Sequence, residues 1–274
     1  MPVIDTHLHL FDPAAHVFNA EAPYRPQPHE CATWPALRDL LEAHGVQAGV
    51  LVAPTAGYNH DLRPLTDTLA LAAPRLRGVA RLRGYENDAV LDALEHAGIV
   101  GVRLDLRHDG SGEVRRMQDS QAVSRWARRG WFVQVQAQAQ TWNDVADELS
   151  AWPVELVIDH CGWPDTSVGC RQPGFRAVCA LAERPRTWAK LSGAFRFSQS
   201  AWPHDDVVPF VRQLVDRFGA QRCIWGSDWP FVRVPQRLDY GAVLGLLARW
   251  VPDAEERHAI LDDSPKRLLR LKQP

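Results

Sequence analysis

The chain alternates short apolar runs with longer stretches in which apolar residues recur every three or four positions. The short runs are rich in Val, Ile and Leu, as expected of buried strands, and the longer stretches have the period of amphipathic helices. The predicted strands lie at residues 3–7, 48–54, 77–82, 100–106, 131–137, 154–160, 187–193 and 222–228. The predicted helices lie at residues 34–45, 62–74, 87–98, 119–130, 141–152, 173–184, 205–219, 239–251, 253–263 and 264–271.

Eight strands alternating with helices are typical of a (β/α)8 TIM barrel, an α/β fold. The length of 274 residues fits one such domain, residues 1–274. A doubly wound open sheet is the alternative, which is disfavoured because no G-x-G-x-x-G follows the first strand. Two irregular segments, residues 11–33 and 161–173, follow the first and sixth strands. We expect them to shape a pocket, since barrel active sites lie at the carboxyl ends of the strands.

Residues with end-capping preferences lie at the predicted helix boundaries. Glycine is favoured just after a helix because it adopts the left-handed conformation easily, and Ser, Thr or Asp is favoured just before one. The predicted terminal glycines are Gly45, Gly98, Gly130 and Gly219, and the predicted N-caps are Thr141, Asp253 and Ser264.

The composition is that of an ordinary globular protein, with 46% hydrophobic residues, 23% charged residues and a net charge of -2. A nearly balanced charge gives no reason to expect nucleic acid or a membrane as partner, and no apolar run approaches the roughly 18 residues of a membrane span. The five scattered cysteines form no C-x-x-C, and no signal-like segment is recognised, so reduced thiols and a cytoplasmic location are expected. The expected partner is a small-molecule substrate, and the oligomeric state does not follow from the sequence.

Two histidines close the first predicted strand. Side chains at i and i+2 point to the same face of a strand, so Asp5, His7 and His9 share one face. Neighbouring imidazoles can bind a metal ion, or share hydrogen bonds and protons around a substrate. A structural role, in which both rings satisfy loop groups, is the alternative for this pair taken alone.

Polar residues at the ends of other predicted strands favour a catalytic role. Because the strand ends meet on one rim of a barrel, three imidazoles and a carboxylate are expected together there. These are His7, His9, His160 and Asp228. The other polar residues at these ends are Arg103, Asp105, Gln134, Gln136, Asp159, Lys190, Ser192, Arg196 and Ser227. A serine nucleophile is not expected, because neither serine has a G-x-S-x-G setting.

Four motifs, D-T-H-L-H, V-I-D-H-C-G-W-P-D, K-L-S-G-A-F-R and W-G-S-D-W-P, occur in this order along the chain. With them the chain resembles the amidohydrolase superfamily, within it the branch that contains 2-pyrone-4,6-dicarboxylate hydrolase and related lactone hydrolases. The resemblance covers essentially the whole chain and implies a barrel that hydrolyses a small, carboxylated lactone. It places the three histidines and Asp228 in the reaction centre, and it points to Arg103 and Arg196 as anchors of a substrate carboxylate.

The resemblance leaves two alternatives for a cofactor. Many superfamily members bridge two metal ions with a Lys or Glu at a mid-barrel strand end, whereas strands four and five here offer Arg, Asp and Gln, and strand seven ends in Ser192. A binuclear centre is therefore not expected. Some members of the branch need no metal, and we expect metal-independent turnover. The alternative is one divalent ion, Zn²⁺ or Mn²⁺, held by His7, His9, His160 and Asp228.

The residue types indicate how a lactone would be opened. Asp228 can act as general base on water, and the histidines can donate to the ring carbonyl, or hold a metal on it, as negative charge develops. Gln136 and Tyr58 are expected to contact the substrate beside the two arginines. Both arginines also have structural alternatives: Arg103 could pair with Asp105 inside the barrel, and Arg196 could be a surface charge.

The sequence leaves other activities open. The same centre would serve a sugar-lactone or muconolactone hydrolase, or a lactone isomerase. A metal-dependent non-oxidative decarboxylase would need a tightly held ion. An inert barrel that only binds ligands would need no acid or base, and the intact acid and base residues argue against it.

Overall fold

Eight parallel strands form a barrel in the computed structural model, which describes residues 2–271. Each strand pairs with the next one along the chain. The strands are β1 Val3–Leu8, β2 Val46–Val52, β3 Leu76–Ala80, β4 Ile99–Asp105, β5 Phe132–Gln136, β6 Leu156–Ile158, β7 Thr187–Leu191 and β8 Cys223–Trp225. The predicted (β/α)8 barrel is confirmed. The doubly wound sheet is wrong, because its strand order would reverse midway.

Helices fill the connections between the strands. They are α1 Trp34–Ala43, α2 Arg63–Ala72, α3 Asp88–His96, α4 Leu106–Asp109, α5 Gly112–Asp119, α6 Ala122–Arg128, α7 Thr141–Ser150, α8 Pro173–Ala180, α9 Ala194–Phe197, α10 Val208–Phe218, α11 Tyr240–Trp250, α12 Ala254–His258 and α13 Ser264–Leu268. Every predicted helical stretch contains one of them. The predictions missed α4, α5 and α9, which are short and lie in segments without a long apolar period.

The four predicted glycines lie just after the ends of helices. Gly45, Gly98, Gly130 and Gly219 have φ values of 65°, 94°, 67° and 70°. The Asp253 carboxylate caps α12 by accepting two main-chain N–H groups, as predicted. The other two N-cap predictions are wrong. Thr141 is the first residue of α7, and Ser264 follows a π-helical segment, Ala259–Asp263, that joins α12 to α13 without a break.

An apolar plug fills the lower part of the barrel interior. It consists of Ile4, Val50, Val52, Val79, Phe132, Val157, Trp188, Ile224, Leu268 and Leu269. Gln134 on β5, Asp159 just after β6 and Lys190 on β7 each follow a plug residue by two positions, so they share its face. A buried polar layer therefore lies between the plug and the carboxyl ends of the strands.

A larger apolar layer lies between the barrel and its helices. It includes Trp126, Trp142 and Trp250, each about 1% exposed. Apolar burial stabilises by roughly 25 cal/mol per Å², so this larger cluster contributes more to stability than the interior plug. No helix within residues 2–271 has the length and apolarity needed to cross a bilayer.

Individual hydrogen bonds, rather than a regular ladder, close the barrel between β8 and β1 in the described residues. The Thr6 hydroxyl donates to the Trp225 carbonyl oxygen at 2.8 Å, and the His9 N–H donates to the Trp229 carbonyl oxygen at 2.9 Å. The closing strands are thus joined where the histidines of β1 meet the loop that follows β8.

Candidate active site

A cavity opens at the carboxyl ends of the strands. Six of the predicted site residues line it, namely His9, Arg103, Gln136, His160, Arg196 and Asp228. His7 lies beneath them, fully buried, with its ring centroid 4.8 Å from that of His160. The structure thus brings the three histidines and Asp228 together at one end of the barrel.

Two imidazoles and a carboxylate converge at the centre of this site. Nε2 of His7 lies 3.2 Å from Nε2 of His9. Oδ1 of Asp228 lies 3.9 Å from the first nitrogen and 3.5 Å from the second. The three side chains are at most 7% exposed. They are therefore within reach of one shared proton, water molecule or ion.

Local backbone geometry brings His160 to the same centre. It follows β6 in a short 3₁₀ turn, with a left-handed φ of 48°. Its Nε2 lies 3.7 Å from Oδ2 of Asp228, and its Nδ1 lies 2.9 Å from the Ser192 hydroxyl. Gly193 leaves room for the ring, because a Cβ at that position would lie 2.6 Å from Nδ1 of His160.

Burial and neighbouring charges set the ionisation of these groups. Burial lowers the pKa of His160 to about 4, and it also lowers the pKa values of His7 and His9. Burial opposes ionisation of Asp228, but Arg196 and the imidazoles outweigh it and hold the pKa of that carboxyl well below its usual range. Three neutral imidazoles and an ionised carboxylate therefore make up the centre near pH 7.

The donor atoms suit one divalent ion. Nδ1 of His9 donates to the Val52 carbonyl oxygen at 2.8 Å, which leaves a lone pair on Nε2. Oδ1 of Asp228 is buried and has no hydrogen-bond partner within residues 2–271. The separations of 3.2, 3.5 and 3.9 Å are close to the edge, about 3.4 Å, of a tetrahedron with bonds of about 2.1 Å. His7, His9 and Asp228 therefore fit such an ion. His160 lies outside this triplet and groups with His7 and Asp159 instead, so the predicted four-ligand set is divided.

Arg196, predicted to anchor a carboxylate, lies on the cavity wall beside Asp228. Its Nε donates to Oδ2 of Asp228, and its Nη1 donates to the Val232 carbonyl oxygen at 3.1 Å. Arg196 is therefore not a surface charge on a loop. It holds one carboxylate oxygen of Asp228 and leaves Oδ1 directed at the histidines.

Arg103 lies deeper on the same wall. It donates to Oε1 of Gln136 and, at 3.3 Å, to the Ala53 carbonyl oxygen. The Asp105 carboxylate accepts from the Thr55 hydroxyl at 2.6 Å rather than from Arg103. The guanidinium therefore has an amide and a carbonyl as partners and no ion pair among the described residues.

Two further arginines line the cavity and were missed by sequence reasoning. The guanidinium carbon of Arg107 lies 3.7 Å from the ring centroid of Trp163. Arg233 stands over Tyr24 at 5.1 Å, and its main-chain N–H donates to the buried Glu30 carboxylate at 2.5 Å. Arg107 lies two residues after the end of β4, so the strand-end rule could have found it. Arg233 belongs to a loop and carries no signal of this kind.

Tyr58 does not line the cavity. It is 1% exposed, and its hydroxyl accepts from the main-chain N–H of Asp12 at 2.9 Å. Its ring stacks on Phe11, which does line the cavity, with centroids 6.0 Å apart. Tyr58 therefore supports the cavity wall from behind.

Asp5 positions both sides of the centre. One oxygen of its buried carboxylate accepts the main-chain N–H groups of His7 and Ser227, each at 3.0 Å. The other oxygen accepts from the Tyr240 hydroxyl at 2.8 Å. The two amides flank the reacting side chains on β1 and after β8, so one carboxylate fixes the relative position of these two segments.

Residues 4–271 match the model of the amidohydrolase family. The chain belongs to this family. It is 34% identical over 273 residues to 4-sulfomuconolactone hydrolase from Rhizobium radiobacter, a match that covers 96% of this chain and 88% of the relative. It is 30% identical over 285 residues to 2-pyrone-4,6-dicarboxylate hydrolase from Comamonas testosteroni, with 97% and 89% covered.

The fold of this family member recurs in solved structures. A protein from Agrobacterium tumefaciens superposes with a TM-score of 0.87 at 22% identity, over 99% of this chain and 97% of the other. The predicted family is confirmed, and with it an enzyme of the lactone-hydrolase type.

Proposed function

We propose that the enzyme hydrolyses a small lactone that carries acidic groups, by direct attack of water. The observation that carries this proposal is an ionised carboxylate, Asp228, set among three neutral imidazoles in a cavity with four guanidinium groups. A lactone is an ester, so its opening needs a base for water and donors for the carbonyl oxygen.

The charge of the cavity supports an anionic substrate. Of the four arginines that line it, only Arg196 has a carboxylate partner among the described residues. Unpaired guanidinium groups bind carboxylate or sulfonate oxygens through a bidentate fork. The names of the two relatives describe a dicarboxylate and a sulfonated lactone, which fits this chemistry. The proposed substrate therefore has at least one acidic group, and the number of guanidinium groups suits two.

Asp228 is the proposed general base. Arg196 donates to Oδ2, whereas Oδ1 faces the histidines and has no hydrogen-bond partner in the described part of the chain. A water molecule beside Oδ1 can therefore give up its proton there as it attacks the carbonyl carbon. The same carboxyl can return the proton to the ring oxygen as the C–O bond breaks. General-base catalysis of this kind contributes typically 10²–10⁴-fold in rate.

His160 is the best-placed donor for the developing oxyanion. It lines the cavity, and when its Nδ1 accepts from the Ser192 hydroxyl, its Nε2 carries the proton. His9 presents a lone pair at Nε2, and His7 lies below the cavity wall. The carbonyl-polarising role predicted for all three histidines is therefore proposed for His160 alone.

A divalent ion, where bound, would be held by His7, His9 and Asp228. It would lower the pKa of a bound water molecule and polarise the lactone carbonyl. The residues described above supply a base and an oxyanion donor of their own, so we propose that turnover does not require the ion.

Relatives named L-fucono-1,5-lactonase and D-galactarolactone isomerase are also similar to this chain, so a sugar-lactone hydrolase and a lactone isomerase are the alternatives. A neutral sugar lactone would leave the guanidinium groups without anionic partners, and an isomerase or a decarboxylase would not use a base aimed at water. A panel of lactones with none, one or two acidic groups tests the proposal, assayed with and without a chelator. Turnover restricted to acidic lactones is expected, and a preference for neutral sugar lactones would contradict the substrate class.

A further inference from the structure

A closed ring of polar contacts lies in the barrel interior directly below the centre. The Lys190 ammonium donates to Oε1 of Gln134 at 2.7 Å, Nε2 of Gln134 donates to Asp159 at 2.7 Å, and Asp159 lies 3.0 Å from the ammonium. Each of the three side chains is at most 1% exposed. Apolar residues in place of a buried ion pair are often as stable or more stable, so stability alone does not account for this ring.

Among the described residues, the contacts of this ring with the centre that are shorter than 4 Å involve Nδ1 of His7. This nitrogen lies 3.4 Å from the Lys190 ammonium and 3.5 Å from the Asp159 carboxylate. An ammonium can only donate a hydrogen bond, and a carboxylate can only accept one. A contact with Lys190 therefore leaves the proton of neutral His7 on Nε2, whereas a hydrogen bond to Asp159 requires the proton on Nδ1.

The contacts of Nε2, on the opposite side of the His7 ring, show how each tautomer would affect metal binding. His9 donates from Nδ1 to the Val52 carbonyl oxygen, so its Nε2 offers a lone pair to His7 at 3.2 Å. Oδ1 of Asp228 offers lone pairs to the same point and has no hydrogen-bond partner among the residues that the structure describes. With the His7 proton on Nδ1, three acceptor atoms converge, namely Nε2 of His7, Nε2 of His9 and Oδ1 of Asp228, and this arrangement favours a bound cation. With the proton on Nε2, His7 donates to His9 and the pair is satisfied without one.

We infer that Lys190 sets the tautomer of His7 and thereby weakens metal binding at the centre. The ammonium donates to Nδ1 and keeps the proton on Nε2, where a metal ion would have to displace it. Its positive charge also opposes a second cation nearby. Lys190 is thus a positioning residue that lets the centre work on its own side chains. The inference concerns the same centre as the proposed function, but its tests measure metal affinity and proton position rather than lactone turnover.

The first test compares the affinity of Zn²⁺ for metal-free wild type and for Lys190→Met, by competition with a chromophoric chelator. Met keeps the length of the side chain and removes the donor, so Nδ1 can bond to Asp159 and Nε2 is freed for the ion. Changes of 10–100-fold are typical when partners behind a metal ligand are altered, and a gain of at least about tenfold is expected here. His9→Asn in the Lys190→Met background should remove the gain, which locates the ion.

Lys190→Met leaves the Asp159 charge unpaired and risks the fold. The double variant Lys190→Met with Asp159→Asn removes both charges, and the Asn carbonyl can still accept from Nδ1, so the same gain is expected. Asp159→Asn alone keeps the ammonium and should show none. Circular dichroism identifies which variants are folded. Folded Lys190 variants that bind Zn²⁺ no more tightly than wild type would overturn the inference.

The second test needs no Lys190 variant. Imidazole ¹⁵N spectra of the metal-free wild type distinguish protonated from unprotonated ring nitrogens, and the His7 signals are those absent from His7→Asn. The proton is expected on Nε2, and a proton on Nδ1 would overturn the inference. Either result leaves the proposed hydrolysis to be judged by the lactone panel alone.

Discussion

The main-chain N–H of Asp228 donates to the carbonyl oxygen of His7 at 2.8 Å. The proposed base is thereby tied to the backbone of a histidine that its side chain faces. The two residues lie near opposite ends of the sequence, and closure of the barrel brings them together. This contact and the Asp5 carboxylate act at the same place, where β8 returns to β1. Closure of the barrel therefore assembles the centre, and geometry at this seam should affect catalysis more than stability.

Asp228→Asn should abolish general-base catalysis while keeping the fold. The amide oxygen can still accept from Arg196, but an amide does not take a proton from water near neutral pH. We expect kcat to fall by at least about 10²-fold with little change in the midpoint of thermal unfolding. Asp39→Asn, at an exposed ion pair, is the matched control. Hydrolysis by Asp228→Asn at close to the wild-type rate would remove Asp228 from the mechanism.

Arg233→Met should weaken the binding of acidic lactones specifically. Arg233 lines the cavity without an ion-pair partner among the described residues, and a hydrogen bond to a charged group contributes about 1.5–3 kcal/mol. KM for a lactone with two acidic groups is therefore expected to rise about 10–100-fold, with kcat nearly unchanged. Arg196 is a poorer probe, because its removal would also raise the pKa of Asp228.

Arg237→Met is the matched control for Arg233→Met. Arg237 lies in the same loop, is 88% exposed and pairs with Asp239. Its loss should leave KM unchanged for every lactone. An equal effect of Arg233→Met on acidic and neutral lactones would show that Arg233 supports the loop rather than the substrate.

Much of this fold and part of the site follow from local patterns. Eight apolar runs with helical stretches between them are enough to predict the barrel. The rule that barrel sites lie at strand ends then groups His7, His9, His160 and Asp228 without any contact information. These predictions succeed because strand periodicity and chain order fix which side chains reach the carboxyl face.

Other features depend on contacts that no local pattern encodes. Arg233 reaches the cavity through a loop whose backbone has a φ of 64° at that residue. Tyr58, also in a loop, turns away from the cavity, and its hydroxyl accepts from the main-chain N–H of Asp12. The role inferred for Lys190 depends on the register of several strands, which brings it to His7. The sequence contains these residues, but no local pattern in it specifies which residues they contact.

Gly193→Ala should impair catalysis by displacing His160. A Cβ at Gly193 would lie 2.6 Å from Nδ1 of that ring, and the glycine has a φ of +67°. A left-handed backbone costs an alanine roughly 1–2 kcal/mol of stability, whereas the clash acts on the proposed oxyanion donor. Removal of one such donor typically costs about 10²–10³-fold in kcat, so a fall of at least tenfold is expected.

Gly45→Ala separates backbone strain from the clash. Gly45 has nearly the same φ, +65°, but a Cβ there meets nothing within 4 Å. The two variants should lose similar stability in chemical unfolding, and only Gly193→Ala should lose activity. Full activity in Gly193→Ala would mean that the position of His160 is not critical for the reaction.

His160 should give the stability of the protein a pH dependence of known sign. Burial lowers its pKa from 6.5 to about 4, whereas the unfolded imidazole titrates near its ordinary value. Between these pH values the unfolded chain binds more protons than the folded one, so the free energy of unfolding falls as the pH decreases through this window. His160→Asn removes this titrating group and with it a difference of up to one bound proton between the two states. The slope of unfolding free energy against pH should therefore become shallower by up to about 1.4 kcal/mol per pH unit.

Chemical unfolding at several pH values across this window, for wild type, His160→Asn and His29→Asn, measures the effect. His29 is exposed and does not line the cavity, so His29→Asn is the matched control for a His-to-Asn change. Burial raises the pKa of Asp5 to about 6, which makes stability fall as the pH rises over part of the same window. That opposing contribution is present in all three proteins and cancels in the differences between them. Parallel curves for wild type and His160→Asn would mean that the imidazole is solvated in the folded protein, in conflict with a neutral donor buried beside Asp228.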